Sequence, residues 1–490
     1  MVATVILVLL IVIFMLFSTF TRLKMENHPP GPFSWPIIGN QFLLNQLCVK
    51  YGGLHLATIE LCKQYRSDAI TLYLGMNKMV VVSGVKLVTA VINRGEFEGR
   101  PFDEFIKIRT FGKKQGITMN DGPAWKELSS WMIHTLTDFG YGKRPMIDMI
   151  TDELDAILEN LKGGGVRTLK PIVAPATLNV LWQFTMGKHF NMGPRLEYFI
   201  DMMDRRSRMF DVTGGALSSF PWLRYVAPEA SGYKLLVTLN DELKNFFMET
   251  LMEHKKNYVP GKVTDIIDKF MSEMMKNRAD DTVYTEDQLM VILMDFFIAA
   301  FTTTATVLEF LFLYMIIHQD VQRKLQKEID SAIPPDRLPD TADRLKLPYA
   351  EAIISETMRM WPVFPLIGPR RVLCDTELGN YRIPKETTIL INNYSVNRDP
   401  ELYPEPDKFK PERHIKNGAY EPDMNSIIFG KGRRKCPGAI LAKTATFVIF
   451  VGVMQRFTLL PVPGKEPKSI EIIPGLAITP KPYDVLLVPR

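Results

Sequence analysis

Cys436 is the residue with the most informative surroundings. Phe429-Gly430-Lys431-Gly432-Arg433-Arg434-Lys435-Cys436-Pro437-Gly438 places its thiol in a glycine-rich, strongly basic loop, at the mouth of an apolar helical pattern from Ala439 to Phe457. A thiolate needs nearby positive charge or N–H donors to stay ionised, and a helix N-terminus supplies donors. Glycine has no Cβ, so it lets backbone approach a flat ligand closely. Two plainer readings compete: a cysteine as an inert buried hydrophobe, and a Lys/Arg run as a targeting or nucleic-acid patch. Neither accounts for Phe429, Gly432, Arg434, Cys436 and Gly438 together.

A second set is Ala299-Ala300-Phe301-Thr302-Thr303-Thr304, inside the longest helical pattern, Thr285 to His318. A hydroxyl both donates and accepts, so it can hold a water that delivers protons. A threonine competing with the helix ladder can also open a groove; threonines merely satisfied by backbone are the plain alternative. Thr285-x-x-Gln288 reads as a capping box opening this helix. A transmembrane span is a rival reading, but Asp295, the threonines and Glu309 would be costly in lipid. Glu356 and Arg359 form a third set, sharing one helix face, with Arg413 following in Pro411-Glu412-Arg413. An isolated pair of this kind is worth little.

The elements that must position these groups follow from composition and pattern. The chain has 490 residues, 46% hydrophobic and 23% charged, which is globular composition rather than disordered. A net charge of +5 is mild and does not by itself indicate nucleic acid. The 4 cysteines are scattered with no C-x-x-C, which argues against a disulfide framework or zinc site, and no H-E-x-x-H occurs. Residues 1–21 are uncharged and mostly apolar, near the roughly twenty residues a membrane-spanning helix needs. No basic n-region precedes this stretch, so a signal anchor fits better than a cleaved signal peptide. Arg22 and Lys24 on its C-terminal side predict a cytosolic body. Residues 22–40, with Pro29-Pro30-Gly31-Pro32, read as a stiff hinge, leaving 41–490 as the main body.

In the body, Leu54 to Tyr65 and Lys86 to Arg94 read as helices, flanking a hairpin of Ala69 to Leu74 and Met79 to Ser83. Arg100 to Asp121 reads as loop, and an amphipathic helix runs from Trp125 to about Thr137. Residues 145–320 are helical throughout except Val212 to Gly232, which is either a packed loop or a lid dipping into a membrane surface. Small strands are expected from Leu373 onward and again from Thr458 to Pro489.

The loop spacing F-x-x-G-x-R-x-C-x-G resembles the haem-thiolate loop of the cytochrome P450 family. The Pro-rich hinge, the Thr303 region, E-x-x-R at Glu356 and Arg359, and P-E-R at Arg413 are similar to family elements in the same order. The resemblance implies a mainly α fold with a small β-rich region, a single N-terminal transmembrane helix, and haem b held by Cys436. It also implies that Glu356, Arg359 and Arg413 brace the loop. Arg434, Trp125, Arg100 and Arg370 are expected at the haem propionates, beside Phe429 and Gly438 of the loop itself. Thr303 takes the place of the oxygen-activating threonine. Ser129 stands where the family has an arginine, Ala300 where it has glycine, Thr302 where it has an acid and His414 where it has phenylalanine. With no nicotinamide or flavin motif, electrons would come from a NADPH–cytochrome reductase or cytochrome b5, docking on Lys126, Lys431, Arg433 and Lys435.

The implied protein is a monooxygenase on the cytosolic face of the endoplasmic reticulum membrane, using O2 to hydroxylate or epoxidise a lipophile. Substrate walls are expected at Arg100–Asp121, Ile298–Phe301, Val363–Leu366 and Pro474–Thr479. Arg109-Thr110-Phe111-Gly112-Lys113 looks like arthropod members that epoxidise sesquiterpenoid esters; steroids and foreign compounds are rivals. Because Ser129, Ala300 and Thr302 depart from pattern, a haem-binding, ligand-sequestering protein is the alternative.

Overall fold

A computed structural model describes residues 27–190, 193–207, 215–276 and 283–490. The expected anchor at 1–21 and the first residues of the hinge lie outside the described residues. The fold is built around the helix Glu286–Ile317, whose 32 residues span about 48 Å. Thr285 caps it by accepting the Gln288 N–H at 3.2 Å. The Gln288 side chain turns instead to the Gly116 carbonyl, so only half of the expected capping box forms.

The helices Lys170–Met186, Pro348–Met360 and Ala439–Arg456 pack around this axis. Contacts between Trp182 and Phe297 (5.5 Å) and between Lys170 and Glu309 (3.9 Å) show how the first of them lies. They are twelve residues apart on each helix, in opposite directions (182 − 170 and 309 − 297), so Lys170–Met186 runs antiparallel to the axis. Glu286–Ile317 and Ala439–Arg456 are long and apolar enough to cross a membrane, but their apolar windows are 67% and 72% buried inside the fold. The burial accounts for their all-round hydrophobicity, and the reading of Thr285 to His318 as a buried core helix is the one the structure takes.

The hairpin forms with Ala69–Leu74 antiparallel to Asn77–Val82, Ala69 facing Val82. Asn77–Val82 also pairs in parallel with Thr388–Asn392, which pairs antiparallel with Leu366–Arg371. The last pairing shifts register between Ile367 and Arg370, a bulge of the kind that re-aims side chains beside functional sites. A second sheet joins Phe457–Pro461, Val485–Pro489 and Gly165–Arg167.

Two segments differ from expectation. Gly165–Arg167 is a strand within a stretch read as helical. Gly163, Gly164 and Gly165 all have positive φ, and a Cβ on Gly164 would stand 2.5 Å from the Leu487 carbonyl oxygen. The supposed loop from Arg100 to Asp121 contains the helix Glu104–Arg109, capped by Asp103 accepting the Ile106 N–H at 3.0 Å. Six residues are too few to show periodicity, whereas the Asp103 cap was a readable signal.

The E-x-x-R and P-E-R elements meet. Glu356, fully buried, accepts Arg359 Nε at 2.8 Å and Nη2 at 2.9 Å, Arg413 Nε at 3.0 Å and the Lys410 N–H at 2.9 Å. His414 adds Nε2 at 3.0 Å from Glu356 Oε2, so the family departure joins the network. Arg359 Nη1 reaches the carbonyls of Asn397 and Pro406, binding the helix to the irregular chain that leads towards the cysteine loop. Burial opposes charge on Glu356, but the bonds from Arg359 and His414 and the Lys410 N–H outweigh it and hold the carboxyl at about 2. A carboxylate depressed below its unfolded value of about 4.3 stabilises the fold at neutral pH. That stability is lost as pH falls from there towards 2. Replacing Glu356 by Gln strands two arginines, and should destabilise by about 3–5 kcal/mol and flatten the acid limb of the stability–pH curve in denaturant titrations. An unchanged acid limb would rule out this account.

Candidate active site

Cys436 sits just before the helix Ala439–Arg456, with its N–H donating to the Phe429 carbonyl at 2.7 Å, which closes the loop. Gly430 and Gly432 take positive φ, and a Cβ on Gly432 would crowd the Ile92 carbonyl oxygen at 3.1 Å. Gly438 has φ −80°, which any residue adopts; its role is its N–H, which pulls the Cys436 thiol down. Although Cys436 is exposed, the protein packed around its sulfur strips enough water to outweigh that pull and leaves the thiol above its ordinary value. The basic residues of the loop are held by partners other than the thiol. Arg433 pairs with Glu98 at 2.8 Å, Lys431 Nζ donates to the Met424 carbonyl, and Arg434 donates to the Glu98 carbonyl at 2.8 and 3.1 Å. Ionisation of Cys436 therefore depends on what binds it, not on the charge of its loop. Tyr141, missed in the sequence, braces the loop by donating to the Pro437 carbonyl at 2.7 Å and accepting the Leu441 N–H at 3.2 Å.

Arg434 also lies 3.5 Å over the Trp125 ring, which brings two expected residues together. Phe429 lies under Lys443 Nζ at 5.3 Å. Arg100 and Arg370 join the group. Arg100 Nη1 donates to Gly368 and Pro369, the carbonyls of the strand bulge, and its buried Nε has no partner among the described residues. Arg370, 2% exposed, has buried Nε and Nη1 atoms that likewise lack a partner among the described residues. Burial lowers the pKa of all three guanidiniums, Arg370 and Arg434 to about 10, and the positive field of Arg370 further depresses Arg100 and Arg434. Nearby acids are otherwise engaged: Glu98 with Arg433, and Asp121 with Lys114, Arg371 and the Arg100 N–H. Cations drawn out of water, with donors that lack partners among the described residues, fit a ligand carrying carboxylates. Ser129 Oγ, where the family arginine is missing, is also buried with no partner among the described residues.

The axial helix is buried on nearly every side except for one stretch. Phe296, Ile298, Ala299, Ala300, Thr302 and Thr303 are accessible within it. Thr303 Oγ1 donates to the Ala299 carbonyl at 3.0 Å, the side-chain competition with the ladder that can open a groove. Of the other expected walls, Val363 and Ile478 are joined by a backbone bond of 2.9 Å, and Phe364 is 36% exposed.

Asp295 ties the Arg100–Asp121 segment to this helix. Buried, it accepts the Ile117 and Thr118 N–H groups at 2.7 and 2.8 Å and pairs with Arg109. Gly116 makes the approach possible: its φ is +81°, and a Cβ there would stand 2.5 Å from Asp295 Oδ2. Replacing Gly116 by Ala should destabilise by at least about 1–3 kcal/mol and speed proteolysis between residues 110 and 121. Unchanged cleavage would refute the fastening role.

A helical body with a loop cysteine, a buried cation group and a hydroxyl-bearing axial helix is the architecture of a haem-thiolate protein. The family model for cytochrome P450 matches residues 29–487. The chain is 36% identical to probable cytochrome P450 305a1 of Drosophila melanogaster, covering 98% of this chain and 97% of that one. It is 35% identical to the farnesoate epoxidase of Bombyx mori over 94% of each chain, and 32% to human cytochrome P450 2J2 over 98% and 95%. The chain belongs to the cytochrome P450 family, and is a monooxygenase whose cofactor is haem with a cysteine thiolate ligand.

Proposed function

We propose that this monooxygenase inserts one oxygen atom into a lipophilic small molecule, with sesquiterpenoid esters as first candidate. Cys436 would be the thiolate ligand. Haem, when bound, supplies the oxygen-activating chemistry, and the thiolate donates electron density to its iron. The observation that carries the reading is the meeting of the Cys436 loop with Arg100, Arg370, Arg434 and Trp125. The arginines would hold the propionates. Thr303 would hold a proton-bearing water, and the accessible arc Phe296–Thr303 would orient an apolar substrate and exclude bulk solvent. The 35% identity to a farnesoate epoxidase supports the substrate class.

Membrane attachment is supported from outside the anchor. Exposed Phe33, Trp35, Ile37, Phe42 and Met76 lie on neighbouring elements, since Trp35 bridges Gly39 and Gly39 bridges Leu74. Trp222, Tyr225 and Val226 follow Ser219, whose carbonyl oxygen lies 2.1 Å from where a Gly75 Cβ would stand. Such an apolar surface suits a bilayer interface. The inner side of the same segment is packed, with Leu217 fully buried and Arg224 paired with Glu104, so it combines both readings of Val212 to Gly232 in its described part. A cleft of about 470 Å³ opens beside Met76 and Ser219, with Phe102, Lys78, Pro369 and Glu386 also in its wall. Lys126, Lys435 and Arg433, which stays exposed while paired with Glu98, would offer a reductase a basic face beside the loop.

Reduced protein with carbon monoxide should show the thiolate Soret band, and Cys436→Ser should lose it. Arg370→Leu should weaken haem retention about ten- to a hundredfold while raising the thermal midpoint of haem-free protein, because it removes a buried like charge. A drop in that midpoint would contradict the cation-group account. Sesquiterpenoid esters should shift the iron spin state and yield epoxide with reductase and NADPH. Spin shift without product for any lipophile would favour ligand sequestration instead.

A further inference from the structure

Below Thr302 and Thr303 the axial helix carries polar groups that the site described above does not use. Thr306 and Glu309 follow Thr302 by four and seven residues, so the three share one helix face. Thr306 is 0% and Glu309 5% exposed. Thr306 Oγ1 and Glu309 Oε2 have no hydrogen-bond partner among the described residues. The antiparallel helix opposite adds a third group. By the antiparallel register set by the Lys170–Glu309 and Trp182–Phe297 contacts, Thr177, two turns from Lys170, falls opposite Thr302, and its buried Oγ1 also lacks a partner among the described residues. Buried oxygens of this kind mark places for ordered water. Lys170 Nζ stands 3.9 Å from Glu309 Oε2, with 35% of its side chain exposed. This is too long for a hydrogen bond, but it links the carboxyl to solvent.

We propose that Glu309 is the proton source for the distal side of the haem, delivering through water along Thr306 and Thr177 to Thr302 and Thr303, with Lys170 reloading it from solvent. The carboxyl Oε2–H gives its proton to a water on the threonine side; an ammonium proton from Lys170, carried across the 3.9 Å gap by a second water, replaces it, and bulk water returns a proton to Lys170, so neither group changes over a cycle. The seam restores the acid missing at Thr302, a hydroxyl that does not ionise at neutral pH, from two turns down the same helix. Burial raises the Glu309 carboxyl, Lys170 lowers it, Asp204 on the helix Pro194–Ser207 raises it, and the net position is about 7. Tyr483, on the C-terminal segment, donates to the Glu309 main-chain carbonyl at 2.6 Å, and burial keeps it protonated. This inference rests on the family's oxygen chemistry and not on any particular substrate.

Infrared difference spectra of the ferric holoprotein across neutral pH should show a buried carboxyl band titrating near 7, absent from Glu309→Gln. With reductase and a spin-shifting lipophile, the fraction of NADPH electrons lost to hydrogen peroxide should rise severalfold in Glu309→Gln. Wild-type coupling should fall as pH rises through 7, as the stored proton is lost, and the variant should be flat. Thr306→Val should raise peroxide similarly while keeping the infrared band, which a merely structural Glu309 would not predict. Absence of the band, or wild-type coupling in both variants, overturns the proposal. If Glu309→Gln fails to take up haem, Thr306→Val decides, and an unchanged peroxide share is fatal. Failure of every lipophile to drive NADPH consumption would sink the monooxygenase reading along with this one. Turnover with coupling insensitive to both variants sinks this one alone.

Discussion

Gathering three guanidinium groups, one buried and two half-buried, in one another's field is the most demanding thing this fold does. Arg100, Arg370 and Arg434 come from the segment after the first helices, from a strand bulge and from the cysteine loop, so no local feature forces them together. Like charges moved out of water repel strongly and lose hydration. What holds them is fixed backbone: the Gly368, Pro369 and Glu98 carbonyls accept from Arg100 and Arg434, and Asp121 takes the Arg100 N–H. The fold spends stability to keep positive charge where an anionic ligand can be met, a common trade at functional sites.

The opposite solution operates at Glu356, where one buried carboxylate is over-supplied with donors. One centre is complete within the chain and the other is not, which separates a brace from a binding site without any appeal to function. His414 illustrates the point: a departure from the family pattern supplies one more donor to the completed centre.

Much of this was legible in the sequence because local chemistry carried it. Helix 54–65, the first hairpin, the axial helix and the cysteine loop each show caps, periodicity or glycine spacing. The buried character of the axial helix was readable from polar residues a membrane would not tolerate. What was not legible depends on contacts far apart in the chain. Asp295 was visible as a polar residue but not as the fastening of Ile117 and Thr118, which lie 178 and 177 residues away. Nor could the sequence show that Arg433 and Lys431 are engaged by Glu98 and the Met424 carbonyl, which only the tertiary fold sets opposite them. Composition reports that charges exist, and packing decides which partners they meet.

The Tyr141 phenol accepts from Leu441 and donates to Pro437, so it spans both sides of the turn that opens the last helix. The turn after helix Gly122–Asp138 and the cysteine loop are thereby joined through a single oxygen. Local opening of either segment exposes the other, making them one cooperative unit in hydrogen exchange. Breathing of the cysteine loop is thus governed by a tyrosine nearly three hundred residues earlier in the chain, one that carries no redox chemistry of its own.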